Sequence, residues 1–212
     1  ATVEDLATRL TSTRTAAAAS LGESVTAELA ALAMERGQVT VAVTPRASAG
    51  RSGRDDVEIL LQANPGSRPG SISKVGSGGE LSRVMLAIEL VTAGTQGMPP
   101  TFIFDEVDAG IGGQAALAVG ARLAALAEHA QVVVVTHLAQ VAAYADRHLV
   151  VSKAGDESVT ESDVREVAAS ERESELARMM SGNDTVSARR HARELLATAE
   201  RDRALAGPFI RT

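Results

Sequence analysis

The chain has 212 residues with a formal net charge of −6, and 45% of its residues are hydrophobic. This length is sufficient for the core of one domain, and the negative charge argues against a surface that grips nucleic acid over its whole extent. The absence of cysteine excludes disulfide bonds, thiolate metal sites and a cysteine nucleophile.

The location of the protein is constrained by two further observations. No apolar run approaches the roughly 18 residues of a membrane span, and no signal peptide is evident, so we expect a cytoplasmic protein without membrane contact.

Because the first residue is Ala1 and not methionine, we expect the chain to be a piece of a longer protein.

The first predicted element is a long helix over residues 3–34. Its apolar residues recur at intervals of three, four and seven, which is the spacing of one helical face. They are Val3, Leu6, Leu10, Ala17, Leu21, Val25, Leu29 and Leu32. A lone helix of this length needs a partner, so the pattern predicts either packing on a domain or one strand of a coiled coil.

Two strands are predicted after this helix. Residues 39–43 and 57–61 are rich in Val, Ile and Leu and indicate β-structure. Residues 44–54 between them are rich in Pro, Ser, Gly and Arg and therefore predict a loop.

From Lys74 onward, helices and strands alternate. Helices are predicted over about 80–91 and 114–129, with a short one from 138; strands are predicted over 101–104, 132–136 and 149–152. Such alternation is typical of an α/β fold with a mainly parallel sheet flanked by helices.

The C-terminal tail is predicted to be helical. A capping-box pattern at residues 170–173 starts one helix, which Gly182 ends. A last helix is predicted to stop at Gly207-Pro208.

A glycine-rich turn precedes the predicted helix at residue 80. Its residues Ser77, Gly78, Gly79 and Glu80 let the backbone approach a ligand closely, and the helix start presents free N–H groups to an anion such as phosphate. An ordinary helix N-terminus is the simpler interpretation of this turn taken alone.

Two adjacent carboxylates, Asp105 and Glu106, follow the apolar strand 101–104. Ligands bind beyond the carboxyl ends of strands in open α/β sheets. Neighbouring side chains on extended backbone point in opposite directions, so the two carboxylates need different roles. Asp105 is suited to hold Mg²⁺, and Glu106 to orient or deprotonate an attacking water. A solvated acidic turn is the alternative.

A histidine follows the next strand. Because one crossover separates the two strands, His137 should leave the sheet at the same edge as Asp105 and Glu106 and reach a group held there. His129, His148 and His191 have no such setting, and we expect them to be structural.

The chain lacks the phosphate-binding Walker A loop. That loop needs Gly-x-x-x-x-Gly-Lys-Ser/Thr, whereas the only lysines are Lys74 and Lys153 and both follow serine. We therefore expect the chain alone not to hold ATP tightly.

The order of these motifs resembles that of the ABC ATPases. Residues 77–80 resemble the signature loop, residues 102–106 the Walker B strand, and His137 the switch histidine. Residues 105–109 are more similar to the SMC-like branch, which organises chromosomes, than to the transporters. Within that branch the chain resembles the RecN family of DNA-repair proteins. The markers are residues 64–66, 77–87, 104–113, 136–138, 140–143, 145–146 and 177–182.

The resemblance implies that the chain is the C-terminal half of an ATPase head. Residues 1–35 would be the returning end of a coiled coil, and residues 36–212 the C-terminal lobe. The Walker A loop would lie in an N-terminal half, and ATP with Mg²⁺ would be sandwiched between two heads of a homodimer. Each site would combine Walker A, Walker B and His137 of one head with the signature loop of the other, which contains Ser77, Gly78, Gly79 and Glu80.

One position departs from the wider ABC pattern. Gly112 stands where most relatives have the D-loop aspartate, which fits the RecN-like version, and Asp108 is the residue that we expect to make the contact across the interface. The implied role is ATP-driven engagement of DNA, through the full-length nucleoid-associated protein, in double-strand-break repair.

Two other functions remain open at this stage. The first is a structural DNA clamp in which ATP joins the heads and turnover is incidental; the pairing of Glu106 with His137 favours turnover instead. The second is a nuclease-associated head of the SbcC type, against which the sequence from Asp108 to Gly113 weighs.

Overall fold

The computed structural model describes residues 2–74, 77–93, 101–154 and 161–205. Gly76, which directly precedes the glycine-rich turn, and the expected helix end at Gly207-Pro208 lie outside these residues. The chain divides into two compact units, one formed by residues 1–98 with 105–109 and the other by 99–104 with 110–212.

The first unit begins with helix α1 (Val3–Ala31). Thr2 and Asp5 form a reciprocal capping box, in which each side chain accepts a hydrogen bond from the other residue's backbone N–H. The helix ends at Ala31, earlier than its apolar pattern predicts, and Ala33 takes a left-handed conformation with φ of 59°. Val25 and Leu29 are buried, whereas Val3 and Leu6 near the N-terminus are exposed.

Strands β1 (Gln38–Gly50) and β2 (Gly53–Gln62) form an antiparallel hairpin beside α1, and the short β3 (Gly70–Ser71) pairs with β2. The hairpin extends through residues 44–54, so the loop predicted there is wrong. Its tip is held by tertiary contacts that composition cannot indicate, since Arg14 of α1 donates a hydrogen bond of 2.7 Å to the carbonyl of Ser52.

A close approach of backbone joins α1 to the hairpin. A Cβ at Gly22 would lie 3.1 Å from the carbonyl oxygen of Val39. Four residues further along α1, Thr26 accepts a 3.0 Å hydrogen bond from the Val39 N–H through its hydroxyl. Gly22, which interrupts the apolar pattern of the helix, is therefore a point of close packing.

The first unit also contains helix α2 (Gly78–Thr92), which packs against α1. Gly79, Arg83, Val84, Leu86 and Ala87 are its buried residues. These positions recur at helical spacing, so one face of α2 is buried along most of its length.

The second unit contains the parallel pair of strands, β4 (Thr101–Phe104) and β5 (Gln131–Val134), joined by helix α3 (Gly113–Ala127). The register runs from Thr101 opposite Gln131 to Phe104 opposite Val134. This β-α-β arrangement is as predicted, and it makes both strands end at the same edge.

The rest of the second unit comprises helices α4 (Ala139–Ala142), α5 (Arg172–Ser181) and α6 (Val186–Leu205) and the antiparallel strands β6 (Leu149–Ala154) and β7 (Glu161–Glu166). Tyr144, Leu176 and Ala192 belong to the core shared by the helices. The sequence pattern did not indicate β7, because charged residues dominate it.

The two predicted ends of α5 have different outcomes. The capping box does not form: a 3₁₀ turn (Ala169–Glu171) precedes the helix, and the carboxylate of Glu173 instead accepts hydrogen bonds of 3.0 and 2.8 Å from Arg193. Gly182 does end the helix, with φ of 73° and a 2.7 Å hydrogen bond from its N–H to the Arg178 carbonyl.

The fold is of the expected α/β class. Across the described residues, parallel pairing is confined to β4 and β5, whereas β1–β3 and β6–β7 are antiparallel. Antiparallel strands need only a tight turn, which residues 51–52 form between β1 and β2.

Candidate functional site

The acidic turn over residues 105–109 has a defined backbone conformation. Glu106 is left-handed, with φ of 57°, and its carbonyl accepts a 2.9 Å hydrogen bond from the N–H of Ala109. A residue with a Cβ enters this conformation at a cost of roughly 1–2 kcal/mol, so surrounding contacts must hold it there. Asp105 and Glu106 are exposed, whereas Asp108 is buried, with 2% exposure.

The start of α2 is built as a capped helix N-terminus. Ser77 is the N-cap, and its hydroxyl accepts a 3.3 Å hydrogen bond from the N–H of Glu80. Gly78 is exposed and Gly79 is buried. The positive end of a helix of 15 residues therefore lies at the position that the sequence predicts for anion binding.

The helix start and the acidic turn are in contact within the first unit. A Cβ at Gly78 would meet Oε2 of Glu106. A Cβ at Gly79 would lie 2.9 Å from Cβ of Ala109 and 3.1 Å from the carbonyl oxygen of Glu106. The structure thus places Gly78 and Gly79 of the helix start against Glu106 and Ala109 of the acidic turn. Only a residue without a side chain fits at position 79.

Two further residues of α2 bind this turn. The Ser82 hydroxyl donates a 2.7 Å hydrogen bond to the carbonyl of Asp105. Nη1 of Arg83 donates to the carbonyls of Val107 at 3.3 Å and Ala109 at 3.0 Å. Sequence reasoning assigned neither residue a role. A signal was present, because Arg83 is a charged residue at a position on the apolar face of α2.

Arg83 is buried, with 6% exposure, and burial lowers the pKa of its guanidinium, while nearby Glu80 raises it. Its Nε has no hydrogen-bond partner within the described part of the chain. An unsatisfied buried donor costs about 1–3 kcal/mol, so the contacts of Nη1 must offset that cost.

His137 belongs to the second unit, three residues after β5. The hydroxyl of the preceding Thr136 accepts a 3.0 Å hydrogen bond from the N–H of Leu138, the N-cap residue of α4. His137 itself is exposed. Its expected proximity to Asp105 and Glu106, which lie in the first unit, stays a prediction.

The carboxylates fit the way in which proteins hold Mg²⁺ beside a nucleotide. Within the residues that the structure describes, no cluster of three or more His, Asp or Glu side chains is arranged to hold a metal. Mg²⁺ commonly keeps several waters and takes only one or two carboxylates together with substrate phosphates. The exposed Asp105 meets that requirement, and its role as the metal ligand stays a prediction.

The chain is similar in sequence to several bacterial DNA-repair proteins named RecN. It is 52% identical over 211 residues to RecN of Streptomyces coelicolor, covering 93% of this chain and 37% of that protein. For RecN of Mycobacterium tuberculosis the identity is 46% over 213 residues, covering 91% of this chain and 36% of the relative. For RecN of Deinococcus radiodurans it is 47% over 177 residues, covering 84% and 31%.

The chain belongs to the RecN family. It spans about a third of the length of these RecN relatives. No protein-family model matches it. The recognition of a RecN-type sequence from its motifs is confirmed.

Solved structures show the fold of this RecN-type segment. The Smc head domain with a coiled coil and joint from Pyrococcus yayanosii matches 89% of this chain and 30% of that one, with a TM-score of 0.52 and 19% identity. The Pyrococcus furiosus Smc head with an extended coiled coil, solved bound to the C-terminal domain of ScpA, matches 75% and 37%, with a TM-score of 0.50 and 20% identity. The predicted head-type fold is thereby confirmed.

The RecN-type segment has no helix, among its described residues, that is long and apolar enough to cross a membrane.

Proposed function

We propose that this chain completes the ATP-hydrolysing head of a RecN-type protein that acts in DNA double-strand-break repair at the nucleoid. The observation that carries the proposal is the exposed pair of carboxylates, Asp105 and Glu106, on a turn of defined conformation directly after β4. The named role of the relatives, DNA repair, supports the biological part of the proposal.

Each residue of the site has a distinct role in this proposal. Asp105 holds the Mg²⁺ that accompanies ATP, and the metal would neutralise charge on the phosphates. Glu106 orients the attacking water and accepts its proton, and His137 donates to the terminal phosphate. Asp108 makes the D-loop contact with the opposing head.

The glycine-rich turn acts on the nucleotide of the opposite head. Ser77, Gly78, Gly79 and Glu80 present a hydroxyl and the free N–H groups of a helix start, which suit phosphate oxygens. ATP held between two heads of a homodimer would therefore be contacted by both.

An N-terminal half of the same protein is proposed to supply the Walker A loop and to cover the sheet. Ile103, Val133 and Val135 are 73%, 43% and 58% exposed on and beside β4 and β5. Parallel sheets are normally covered on both faces, so this exposed apolar surface supports a further lobe. Residues 1–35 are proposed to be the coiled-coil end that joins the two halves, and residues 36–212 the lobe itself.

DNA is proposed to bind the full-length protein. A clamp with incidental turnover and an SbcC-type head are the alternatives. Both differ from the proposal in measurable ways, since the clamp needs no fast hydrolysis and the SbcC-type head acts with a nuclease.

The test is Glu106→Gln in the complete head. The amide retains the shape of the side chain but cannot accept a proton, so we expect hydrolysis to slow by at least about 100-fold while ATP binding survives. ATP-bound head dimers should accumulate, as measured by light scattering. Glu58→Gln, the same change at an exposed position on β2, is the control and should hydrolyse ATP normally.

A result in which Glu106→Gln heads turn over normally and stay monomeric with ATP would show that Glu106 is misassigned. If the unaltered complete head binds ATP and dimerises but hydrolyses it negligibly, the clamp is the better description.

A further inference from the structure

Arg83 is a buried arginine whose guanidinium donates hydrogen bonds to backbone carbonyls. Its Nη1 donates to the carbonyls of Val107 and Ala109, which lie on either side of Asp108. Guanidinium groups are always protonated and donate strong, charge-assisted hydrogen bonds, so this contact fixes two peptide groups at once.

Alternate carbonyls of the acidic turn accept hydrogen bonds from side chains of α2. Ser82 binds the carbonyl of Asp105, and Arg83 binds those of Val107 and Ala109. The remaining Glu106 carbonyl accepts the N–H of Ala109 within the turn. The backbone is thus restrained before, after and at Glu106, which is the residue in the left-handed conformation.

We propose that Arg83 is a positioning residue for ATP hydrolysis, which holds the backbone of the turn that carries the Glu106 carboxylate. The inference rests on the proposed role of Glu106. Without the guanidinium, the carbonyls of Val107 and Ala109 lose their donor, and the turn is free to move the Glu106 carboxylate away from the water that it must orient. A misplacement of about 1 Å is sufficient to cost about 100-fold in rate.

The experiment is a double-mutant cycle in the complete, nucleotide-competent protein with Arg83→Met and Glu106→Gln. Methionine keeps much of the volume of the arginine stem but has no donor. We expect Arg83→Met to lower kcat by about 10-fold to 100-fold with little change in KM. In the Glu106→Gln background the same change should alter the residual rate by no more than about twofold, because the residue that Arg83 positions is already disabled.

Matched variants separate positioning from folding. Arg190→Met makes the same chemical change at an exposed site on α6, where the contact with Glu194 is 4.0 Å, and should leave kcat unchanged. If Arg83→Met does not fold, Arg83→Lys takes its place in the cycle. Lysine keeps the charge but has a shorter reach and no planar fork. When circular dichroism shows that this variant is folded, we expect its kcat still to be lowered.

The results of these experiments separate a failure of the inference about Arg83 from a failure of the proposed function. The positioning role would be overturned if Arg83→Met lowered the rate equally with Glu106 intact and in the Glu106→Gln background. A folded Arg83→Lys protein with normal kcat and KM would overturn it as well. If Glu106→Gln itself leaves hydrolysis intact, the proposed function fails first. If Glu106→Gln abolishes turnover while folded Arg83→Met does not, only the inference about Arg83 fails.

Discussion

The carboxylate of Glu106 occupies the space in which a side chain at Gly78 would begin. This contact joins the start of α2 to the acidic turn, two motifs that lie more than twenty residues apart in the chain. It also makes the two glycines of the motif unequal. Gly78 faces the mobile end of a side chain, whereas Gly79 faces the backbone of Glu106 and Ala109.

We predict different effects for alanine at these two positions. Gly78→Ala should displace only the Glu106 carboxylate, so kcat should fall while thermal stability is retained. Gly79→Ala forces backbone apart and should lower the free energy of unfolding by about 1–3 kcal/mol. Denaturant unfolding and ATPase assays on both variants test this contrast. Equal stability losses would contradict the geometry.

Ser77→Arg tests whether the signature loop acts on the opposite head. A bulky side chain should block closure of the dimer, so single heads should bind ATP with near-normal affinity while dimerisation and hydrolysis are lost. Ser77→Ala is the control: it removes the bond to the Glu80 N–H at a cost of about 1 kcal/mol but adds no bulk, and should still dimerise.

A mixed dimer provides the sharper form of this test. One head carries Ser77→Arg and the other lacks its Walker A lysine, so both lesions fall on one composite site and the second site stays intact. We expect partial activity. Activity no higher than in either mutant homodimer would mean a wrong assignment or strict coupling of the sites, which nucleotide crosslinking to each head would distinguish.

Asp55 should be needed to hold the hairpin on α1. Its buried carboxylate accepts hydrogen bonds from Thr11 at 2.8 and 2.9 Å and from Arg14 at 3.2 Å. Asp55→Ala leaves these donors without their acceptor and should reduce the local opening free energy by about 1–3 kcal/mol, measured by amide hydrogen exchange in β1, β2 and α1.

The neighbouring Asp56 is the matched control for Asp55. Its carboxylate is exposed and pairs with Arg46 at 2.8 Å on the surface. Exposed ion pairs contribute about 0–1 kcal/mol, so Asp56→Ala should leave exchange nearly unchanged. Similar exchange in the two variants would show that burial of the Asp55 contact does not stabilise the hairpin.

His148 should make the second unit less stable in acid. Burial lowers the pKa of its imidazole; Arg172 and Arg178 lower it further, and Glu175 opposes them. The pKa of this imidazole in the folded protein therefore lies below its unfolded value of about 6.5, so His148 contributes stability above that pH. This contribution is lost as the pH falls from about 6.5 towards the folded pKa.

Replacing His148 by glutamine should therefore flatten the decrease in melting temperature between about pH 7.5 and pH 5.5. The change is measured as the difference between variant and wild-type melting curves across this range. His191→Gln, at an exposed position on α6, should retain the wild-type slope. An unchanged slope in His148→Gln would contradict the assignment.

Much of the candidate site could be predicted from sequence because its signals are local. The strand 101–104, the carboxylates that follow it and the helix start at Ser77 depend on residue type and on adjacency in the chain. The same holds for Gly182, where a left-handed helix end favours glycine. The match to RecN proteins confirms the family that these motifs indicated.

Contacts between distant residues were decided only by the tertiary structure. The hairpin extends through residues 44–54 because α1 holds its tip, against the composition of that segment. Ser82 and Arg83 bind a turn that lies 23 to 26 residues further along the chain. Arg83 lies on the buried face of α2. Which carbonyls its guanidinium would bind depended on how the chain returns to that face, because hydrogen bonds act over a few ångströms in space whatever the separation in sequence.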